Sequence, residues 1–370
     1  MKKNITVIPG DGIGPEVTYQ AINVLKAIGK RYNHQFKCNY QLMGAAAIHK
    51  TGIPLPEETI ESCLQSDAVL LGAFGHPKFD NDPFANVRPE QGLFQLRKHL
   101  QLFANLRPVI TYESLFHLSP LKEKRLKGVD FIIYRELTGG NYFEEKHVND
   151  VGDETSNLCK FHKSEIEYVA RLAFEAAQKR RLHLTLVDKV NGLETSGLRR
   201  KTVRELAADY PTVIVEYLSM DNAAMQLILD PARFDVILTE NLFGDILSDE
   251  ASVLTGSPGL LASSSIGEEN ALFQPIHASH VQAAGFNLAN PVGAILSIAL
   301  MMDHFLLHEE ADKIREAVNW TLSNGFVTKD IDAMNSYCTS TIGELISEYI
   351  LNDVQFFNVN NIAAGQMTII

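Results

Sequence analysis

The feature that most constrains the fold is the alternation of short β-rich runs with longer segments of helical periodicity. Six apolar runs of strand length recur along the chain, and helical repeats separate them. Such an alternation is typical of α/β proteins, in which strands and helices follow one another. The sequence therefore predicts an α/β fold, with strands at Ile5–Ile8, Ala68–Gly72, Asp130–Tyr134, Leu184–Val187, Val213–Leu218 and Phe234–Thr239.

Two segments show the helical repeat clearly. The first covers residues 17–28, and the second covers residues 166–174. Ser164 and Glu167, before and within the second segment, have the spacing of a capping box. Each segment carries one apolar stripe, so both helices are expected to pack on a sheet.

Composition narrows the classes of function. The 370 residues, of which 45% are hydrophobic, are enough for about two domains with buried cores. A net charge of −12 and the lack of a dense Lys/Arg run argue against a nucleic acid or an anionic membrane as the main partner. The longest apolar run, residues 292–302, is shorter than the roughly 20 residues of a membrane span. With no signal pattern and no paired cysteine spacing, we expect a cytoplasmic protein that acts on a small molecule.

The glycine-rich loop GDGIGPE, residues 10–16, lies between the first predicted strand and the first helix. Its glycines follow a GxGxG pattern, and no Asp or Glu occurs between Glu16 and Glu57. An ordinary Rossmann fingerprint needs GxGxxG and an acidic residue about 20 positions later that holds a ribose. The loop is therefore either a tight structural turn or a ligand loop of another kind.

Asp245 and Asp249 are four positions apart and therefore share one face of a predicted helix. For a lone pair of this spacing, a solvated surface is the commoner explanation. Here apolar residues flank the pair, and it follows a predicted strand, after which α/β proteins place their sites. A site for Mg²⁺ or Mn²⁺ is the alternative, and Asp221, after another predicted strand, could supply a third carboxylate.

Five further polar residues stand near predicted strand ends or apolar segments. Arg97, Arg107 and Arg135 could together hold two carboxylates, because a guanidinium binds a carboxylate through two parallel hydrogen bonds. Lys189 could serve as a base beside a metal, and Tyr142 could donate a proton. Each of the five also has an ordinary structural explanation, as a surface charge, an ion pair or a packing aromatic.

Taken together, these motifs resemble the isocitrate/isopropylmalate dehydrogenase family of β-decarboxylating dehydrogenases, and its isopropylmalate branch in particular. The resemblance extends from about residue 3 to about residue 350, and the order and spacing of the motifs are specific although each is weak alone. The matching segments are GDGIGPE, RPEQGLFQLRK, LFANLRP, RELTGGNYF, VDKVNGLE, ARFDVILTENLFGDILSDEAS and NLANPVGAILS.

The resemblance implies an isopropylmalate dehydrogenase-like α/β fold, in which two domains share a mixed central sheet flanked by helices, unlike an ordinary Rossmann fold. Residues 1–102 with 256–370 would form the coenzyme-binding domain, and residues 103–255 the domain for substrate, metal and dimerisation. An arm near residues 141–163 would help to join a homodimer with shared active sites. The tail, residues 351–370, receives no assignment.

The resemblance also implies roles for individual residues. Lys189 of the partner subunit would accept the hydroxyl proton, and Tyr142 would protonate the enol carbon. The implied metal ligands are Asp245 and Asp249 with Asp221 of the partner subunit. The implied substrate-binding residues are Leu93, Phe94, Arg97, Arg107, Arg135, Asn191, Gly192 and Asp221. The implied residues for NAD are Glu90, His277, Ala278, Ser279, Gln282, Gly285 and Asn290.

The chain departs from the family pattern in places that bear on specificity. Phe94 stands where the family usually has leucine and Gly192 where it has valine, both in the pocket for the C3 substituent, where a methylene is worth about 1–3 kcal/mol. In QPIHASHVQAAG, Gln282 replaces the acidic residue at the adenosine ribose, and an amide cannot repel a 2′-phosphate. NADP is therefore an alternative to NAD, although no Lys or Arg lies between Phe273 and Asn290.

The implied reaction is NAD-dependent oxidative decarboxylation of (2R,3S)-3-isopropylmalate to 4-methyl-2-oxopentanoate and CO₂, a step of leucine biosynthesis. Two alternatives stay open. A paralogous dehydrogenase for another 3-substituted malate would explain Phe94 and Gly192. A catalytically silent paralogue that binds or regulates would explain the altered coenzyme loop, but the retention of all nine polar site candidates argues against it.

Overall fold

The computed structural model describes residues 1–80, 87–142, 144–149 and 151–352, so almost all of the unassigned tail lies outside the described residues. The strands are β1 Lys2–Ile8, β2 Gln35–Tyr40, β3 Ala68–Leu71, β4 Leu102–Ile110, β5 Asp130–Glu136, β6 Lys146–Val148, β7 Thr155–Asn157, β8 His183–Asp188, β9 Ile214–Ser219, β10 Val236–Thr239, β11 Ala262–Gly267 and β12 Ala271–Pro275. The helices are α1 Gly14–Tyr32, α2 Ala45–Thr51, α3 Glu57–Leu64, α4 Pro77–Asp80, α5 Pro89–His99, α6 Glu123–Leu126, α7 Lys163–Lys179, α8 Glu194–Leu206, α9 Met220–Leu229, α10 Asn241–Ser252, α11 Val292–His304, α12 His308–Ser323 and α13 Thr339–Asn352.

Ten strands form one mixed sheet in the order β2-β1-β3-β12-β11-β4-β5-β10-β8-β9. The strands β2, β1, β3 and β12 are parallel, and so are β5, β10, β8 and β9. Between these blocks, β11 is antiparallel to β12 and to β4, and β4 is antiparallel to β5. The two parallel blocks therefore run in opposite directions. This arrangement confirms the predicted mixed central sheet and differs from an ordinary Rossmann domain.

The six strands predicted from the sequence are all present within a few residues, as β1, β3, β5, β8, β9 and β10. The two predicted helices are also confirmed, as α1 and α7. The capping box assigned to Ser164 and Glu167 is wrong. Helix α7 begins earlier, with His162 as its N-cap, and the Glu165 carboxylate accepts the backbone N–H of His162 at 3.1 Å. The acidic residue three positions after the true N-cap closes the box.

Side chains alternate along β5 and so serve two helical layers. Phe131 and Ile133 belong to a buried cluster that includes residues of α9 and α10. Tyr134 points to the opposite face, into a cluster with residues of α7 and α8. The same alternation places Arg135 on the face of Ile133, beneath α10, because residues two apart share a face.

A third buried cluster joins the two ends of the chain. It contains Val17 and Leu25 of α1, Ile298 of α11 and Ile346 of α13, and these helices pack against one half of the sheet. The predicted domain boundaries at residues 102/103 and 255/256 stay a prediction. No helix in the described part of the chain is long and apolar enough to cross a membrane.

The segment predicted to form an arm contains the short antiparallel pair β6–β7, and all six of its strand residues are exposed. Asn149 shapes the turn between them, since its side-chain oxygen accepts the backbone N–H groups of Gly152, Asp153 and Glu154 at 2.8 to 3.2 Å. A two-stranded hairpin is only marginally stable by itself in water. The contact of this arm with a second subunit stays a prediction.

Candidate active site

A cavity of about 300 Å³ lies between α5, α10 and the antiparallel centre of the sheet. Arg97 comes from α5, Arg107 from β4, Arg135 from β5 and Asp245 from α10. The alternation along β4 and β5 turns Arg107 and Arg135 toward the same helix, α10. The cavity brings together ten residues predicted from the sequence, namely Glu90, Leu93, Phe94, Arg97, Arg107, Arg135, Tyr142, Asp245, His277 and Ala278.

Arg135 is fixed by residues of α10. Its Nε and Nη2 donate to the side-chain oxygen of Asn241 at 2.9 and 2.7 Å, and its Nη1 donates to Asp245. The Asn241 amide in turn donates to the carbonyl of Gly139 at 3.2 Å. A Cβ at Gly244 would lie 2.7 Å from Cγ of Arg135, so only glycine lets α10 pack this closely over the arginine.

Arg107 is fixed in a similar way from both sides. Its Nε donates to the side-chain oxygen of Asn105 at 2.7 Å, and its Nη1 donates to the Ser248 hydroxyl. Its Nη2 donates to Asp245 at 3.2 Å, and Asp249 lies 3.5 Å from its Nη1. Both arginines are therefore held in place before any ligand binds, which lowers the entropic cost of binding.

The cavity carries more positive than negative charge. Three guanidinium groups face two carboxylates, Asp245 and Glu90, and Arg97 makes no ion pair among the described residues. Burial, followed by the like charges of Arg135 and Arg107, lowers the pKa of Arg97 to about 9. Burial and the charge of Arg107 also lower the pKa of Arg135, to about 10. The charged arginines are thus destabilised until an anion enters, so the cavity suits a ligand with carboxylate groups.

Tyr142 is placed to donate a proton inside this cavity. Its hydroxyl donates to Asp245 at 3.3 Å, and its ring stacks on Phe94 with the ring centroids 6.5 Å apart. Burial, and then the negative charge of Asp245, raise the pKa of Tyr142. The phenol therefore keeps its proton through the neutral range, as a proton donor requires.

The carboxylates predicted to bind metal are only partly brought together. Asp245 and Asp249 lie one turn apart on α10 and both face Arg107. Asp221 instead forms an ion pair with Lys189 beside a separate cavity of about 400 Å³. Asp221 follows β9, which lies three strands away from β5, the strand that carries Arg135. The separation of these two strands is about 14 Å. Within the described residues, no group of three Asp, Glu, His or Cys side chains could hold a metal ion.

Five residues predicted for catalysis, substrate or metal lie outside the lining of the arginine cavity of their own chain, and one of them, Asp249, lines the larger cavity described below. Lys189, Gly192 and Asp221 line the separate cavity, and Asn191 is exposed between them. Leu193, Met220, Ala224 and Phe243 complete this lining. The contribution of these residues to the active site of a partner subunit stays a prediction.

A larger cavity of about 930 Å³ adjoins the first one. Four of the predicted coenzyme residues line it, namely His277, Ala278, Gln282 and Asn290. Ile276, His277 and Ala278 belong to the linings of both cavities, so the cavities meet at this segment. Ser279 and Gly285 are not in the lining and instead support it, since the Ser279 carbonyl accepts the N–H of Ile13 at 2.8 Å and Gly285 donates its N–H to Glu16 at 3.1 Å.

The GDGIGPE loop supports the wall of the larger cavity. The Asp11 carboxylate accepts the backbone N–H groups of Ala45, Ala46 and Gly75 at 2.8 to 3.0 Å. Gly12 has a φ of +55°, and a Cβ there would lie 2.1 Å from the carbonyl oxygen of Ser279. The loop thus makes a tight structural turn, and one of its own residues, Ile13, also lines the cavity.

Three buried polar atoms near the junction of the cavities have no hydrogen-bond partner within the described part of the chain. They are Oε2 of Glu90, Oε1 of Gln274 and Nε2 of His277. Burial, only partly offset by a hydrogen bond to the Ala278 carbonyl, lowers the pKa of His277, so its ring is neutral. A buried polar atom without a partner is costly, and a ligand with amide and hydroxyl groups would satisfy such atoms. These residues fit a nicotinamide coenzyme.

Sequence reasoning missed several residues of the site. Asn105, Asn241 and Ser248 orient the arginines, and all three lie within motifs already singled out, so their position offered a signal. Lys329 and Asp330 also line the larger cavity, although they are distant in sequence from the coenzyme loop at residues 274–285. The loop indeed lacks Lys and Arg, but the fold brings a lysine to the cavity from elsewhere.

An arginine-rich cavity that meets a larger, coenzyme-sized cavity in an α/β fold is the arrangement expected of an enzyme with two ligands. The family model for isocitrate/isopropylmalate dehydrogenase matches residues 4–346, so the chain belongs to this family. A 3-isopropylmalate dehydrogenase of Bacillus licheniformis is 51% identical over 346 residues, which are 92% of this chain and 93% of that protein. One from Bacillus subtilis is 47% identical, over 97% of this chain and 100% of that protein.

Solved structures agree with this family. An isocitrate dehydrogenase from Methylococcus capsulatus superposes with a TM-score of 0.83 at 34% identity, covering 94% of this chain and 99% of that one. A β-decarboxylating dehydrogenase from Thermococcus kodakarensis gives a TM-score of 0.78 at 36% identity, covering 94% and 96%. The fold predicted from the sequence motifs is therefore confirmed.

Proposed function

We propose that the chain catalyses NAD-dependent, Mg²⁺- or Mn²⁺-assisted oxidative decarboxylation of 3-isopropylmalate to 4-methyl-2-oxopentanoate and CO₂, a step of leucine biosynthesis in the cytoplasm. The observation that carries the proposal is the meeting of an arginine-rich cavity with a coenzyme-sized cavity at residues 276–278. The names of the two Bacillus relatives, at 51% and 47% identity, support the choice of substrate.

The substrate cavity suits a malate with an apolar branch. Arg97, Arg107 and Arg135 would hold its two carboxylates, because each guanidinium can bind a carboxylate through two hydrogen bonds. Leu93 is buried and Phe94 is half-exposed on the same helix, α5, and both line the cavity. They supply the apolar surface for the C3 substituent.

The site residues fit a metal and a coenzyme through oxygen donors and unsatisfied polar atoms. Asp245 and Asp249 offer the hard oxygen ligands that Mg²⁺ and Mn²⁺ prefer, and Asp221 of the partner subunit would add a third. When bound, the cation supplies positive charge that stabilises negative charge at the C2 oxygen, and NAD supplies the hydride acceptor.

The protein's own residues then move the protons. Lys189 of the partner subunit accepts the proton of the C2 hydroxyl, while the hydride leaves C2 and a C2 carbonyl forms. The bond between C3 and its carboxylate breaks next and releases CO₂, and its electron pair stays on the substrate. Tyr142 donates the proton that C3 gains, and its neutral phenol is suited to that step. The three arginines hold the substrate throughout.

The same proposal requires a homodimer. The surface beside Lys189 and Asp221 carries exposed apolar side chains of α9 and α10, including Met225, Leu229 and Ile246, each at least half exposed. An apolar patch of this kind is typical of a protein interface. A second copy placed there would bring its Lys189 and Asp221 toward the arginine cavity.

Mixed dimers test this shared site. Lys189→Ala and Tyr142→Phe are each expected to be nearly inactive alone. After the two variants are unfolded together and refolded, random pairing gives mixed dimers in which one of two sites is intact, so about a quarter of normal activity should return. Activity no higher than that of the separate variants would show that both residues act within one chain.

Coenzyme reduction tests the function itself. NAD⁺ and NADP⁺ reduction is followed at the absorbance of the reduced nicotinamide, with 3-isopropylmalate and a panel of 3-substituted malates in the presence of Mg²⁺. We expect turnover that is highest with the isopropyl compound and that disappears when a chelator removes the cation. If no compound of the panel supported coenzyme reduction, the proposed function would be contradicted and a non-catalytic paralogue would be favoured.

Phe94 favours a second candidate, a dehydrogenase for a different 3-substituted malate. Its ring is 36% exposed, lines the substrate cavity and stacks on Tyr142, where a smaller side chain would leave more room. If the substrate panel peaks at another malate and Phe94→Leu moves the peak to isopropyl, this second candidate replaces the first. An unchanged isopropyl preference in Phe94→Leu would instead show that the ring is neutral packing.

A further inference from the structure

A basic groove lies on the other side of the coenzyme-binding half, between helix α1 and the edge strand β2. It has a volume of about 780 Å³ and is bounded by the start of β1, the C-terminal part of α1 and most of β2. None of the residues predicted for substrate, metal or coenzyme lies in its lining. The proposed reaction therefore gives no reason for this groove.

Among the residues that the structure describes, its lining contains no aspartate or glutamate, but it contains five lysines, Lys2, Lys3, Lys26, Lys30 and Lys37. Among the described residues only Lys3 is ion-paired, with Asp67 at 2.9 Å. The other four are exposed cations with no ion pair in the described part of the chain, although the whole chain has a net charge of −12. Like charges gathered in one concave region create a local positive potential that attracts an anion.

The floor of the groove is apolar and aromatic. Ile22 and Leu25 are buried there, and Phe36 is half-buried. The His34 ring meets Phe36 edge to face with the centroids 6.0 Å apart. Both nitrogens of that ring are held, by the amino group of the first residue at 2.9 Å and by Glu310 at 2.7 Å, so its orientation is fixed. Of these side chains, Phe36 and His34 offer partly exposed ring surface, on which a flat ring can lie while a charged group reaches the lysines.

We propose that this groove binds a nucleotide, a small molecule with phosphate groups on an aromatic body. Lysine ammonium groups bind phosphate oxygens as point charges. The volume also falls within the roughly 300–1,000 Å³ of small-ligand sites. Phosphate alone would contact only the rim and a neutral ring only the floor, so the groove selects ligands that have both parts.

The groove and the coenzyme cavity are separate sites. Ile13, at the start of α1, lines the coenzyme cavity, whereas Lys26 lines the groove. Thirteen helical positions separate them, a distance of about 20 Å along the helix. Both sites can therefore be occupied at once, and the proposal does not depend on the identity of the substrate.

Calorimetric titration of the full chain with ADP tests the proposal. Saturating coenzyme is present throughout, so that the adenosine part of the coenzyme cavity is filled. The variant Lys26→Gln/Lys30→Gln/Lys37→Gln should bind ADP at least about tenfold more weakly, because three cations beside the phosphates are removed. All three lysines are exposed, and unchanged thermal unfolding would show that the variant is folded.

A matched control distinguishes the specific effect of the groove lysines from a general effect of lost positive charge. Lys122→Gln/Lys124→Gln/Lys127→Gln removes the same charge from exposed lysines outside the groove and should bind ADP as the unaltered chain does. Inorganic pyrophosphate and adenosine, titrated separately, should each bind at least about tenfold more weakly than ADP. The proposal is overturned by an absence of ADP binding, by equal loss in the two triple variants, or by equal binding of pyrophosphate and ADP.

Discussion

The substrate cavity and the coenzyme cavity share residues 276–278, yet they offer a ligand different kinds of contact. The substrate cavity presents charged side chains whose positions are fixed by Asn105, Asn241 and Ser248. The coenzyme cavity is walled mainly by apolar side chains and loop backbone, with His277 as one of its few unsatisfied polar groups.

This difference decides how each cavity tolerates change. A missing guanidinium removes a buried cation that the half-buried Asp245 and a bound substrate carboxylate would share, and that loss is large because water replaces such a fixed contact poorly. A changed side chain on a loop that borders solvent is compensated in part by water and by small shifts. We therefore expect large effects in the substrate cavity and small, selective effects in the coenzyme cavity.

The largest effect is expected for Arg135→Gln. Arg135 donates to Asp245 and Asn241 and also lines the proposed substrate cavity, so its loss should lower kcat/KM about a thousandfold, as removal of a buried charge partner does. Steady-state kinetics with 3-isopropylmalate measures it, and the exposed Arg171→Gln on α7 is the control. If kcat/KM fell by less than tenfold, the expected difference between the substrate cavity and the coenzyme cavity would be contradicted.

Tyr142→Phe should lower kcat about a hundredfold and leave KM nearly unchanged, because a general acid acts in the chemical step more than in binding. The raised pKa of Tyr142, above the ordinary 10.0, predicts that in the unaltered enzyme the loss of this acid falls at a pH above 10. The fall of kcat at high pH, taken from its pH profile, measures this loss. Tyr40→Phe, an exposed tyrosine of β2, should behave as the unaltered chain does. A normal kcat in Tyr142→Phe would exclude the phenol as proton donor.

Gln282→Glu should act only on the choice of coenzyme. A carboxylate at this position repels a 2′-phosphate, so kcat/KM for NADP⁺ should fall about tenfold while the value for NAD⁺ stays the same. Parallel assays with the two coenzymes measure the ratio, and NAD⁺ serves as the internal control. An equal fall with both coenzymes would mean that Gln282 shapes the cavity and does not read the ribose.

The smallest effect is expected for Lys329→Gln. Lys329 is exposed and borders the coenzyme cavity, and an exposed charge contributes little, so KM for NADP⁺ should rise only about threefold. The effect should shrink at high salt, since exposed charges are screened. Lys201→Gln on α8 is the control for a general loss of charge. A rise in KM for NAD⁺ of the same size would contradict the electrostatic explanation.

The sequence predicted the apolar strands of the sheet but did not predict strands that are rich in serine or lie at the edge. Strand β10, Val236–Thr239, was predicted because it is fully buried and its first three residues are apolar. Strand β11 was missed because Ser263, Ser264 and Ser265 are not typical of strands, yet they are buried between β12 and β4. Strand β2 was missed because an edge strand has little apolar alternation.

Prediction of the site residues from the sequence has a similar limit. The arginines, Tyr142 and Asp245 were predicted, because charge and motif position mark them in the sequence. Lys329 and Glu16 act on the coenzyme cavity through contacts between distant parts of the chain, and no local pattern reveals such contacts. Residues that only orient others, such as Asn241, become visible when their hydrogen bonds are known.

The cluster that joins the chain ends has a consequence for how the protein forms during synthesis. Strand β3 pairs with β12, about 200 positions later, and α1 packs on α13, whose last turn contains Ile350. The strands of the other block, β5, β8, β9 and β10, all come from residues 130–239. That block can assemble while the ribosome is still translating, whereas the first helix must wait for the last one. Its apolar stripe is therefore exposed for most of translation, when chaperones have most reason to bind it.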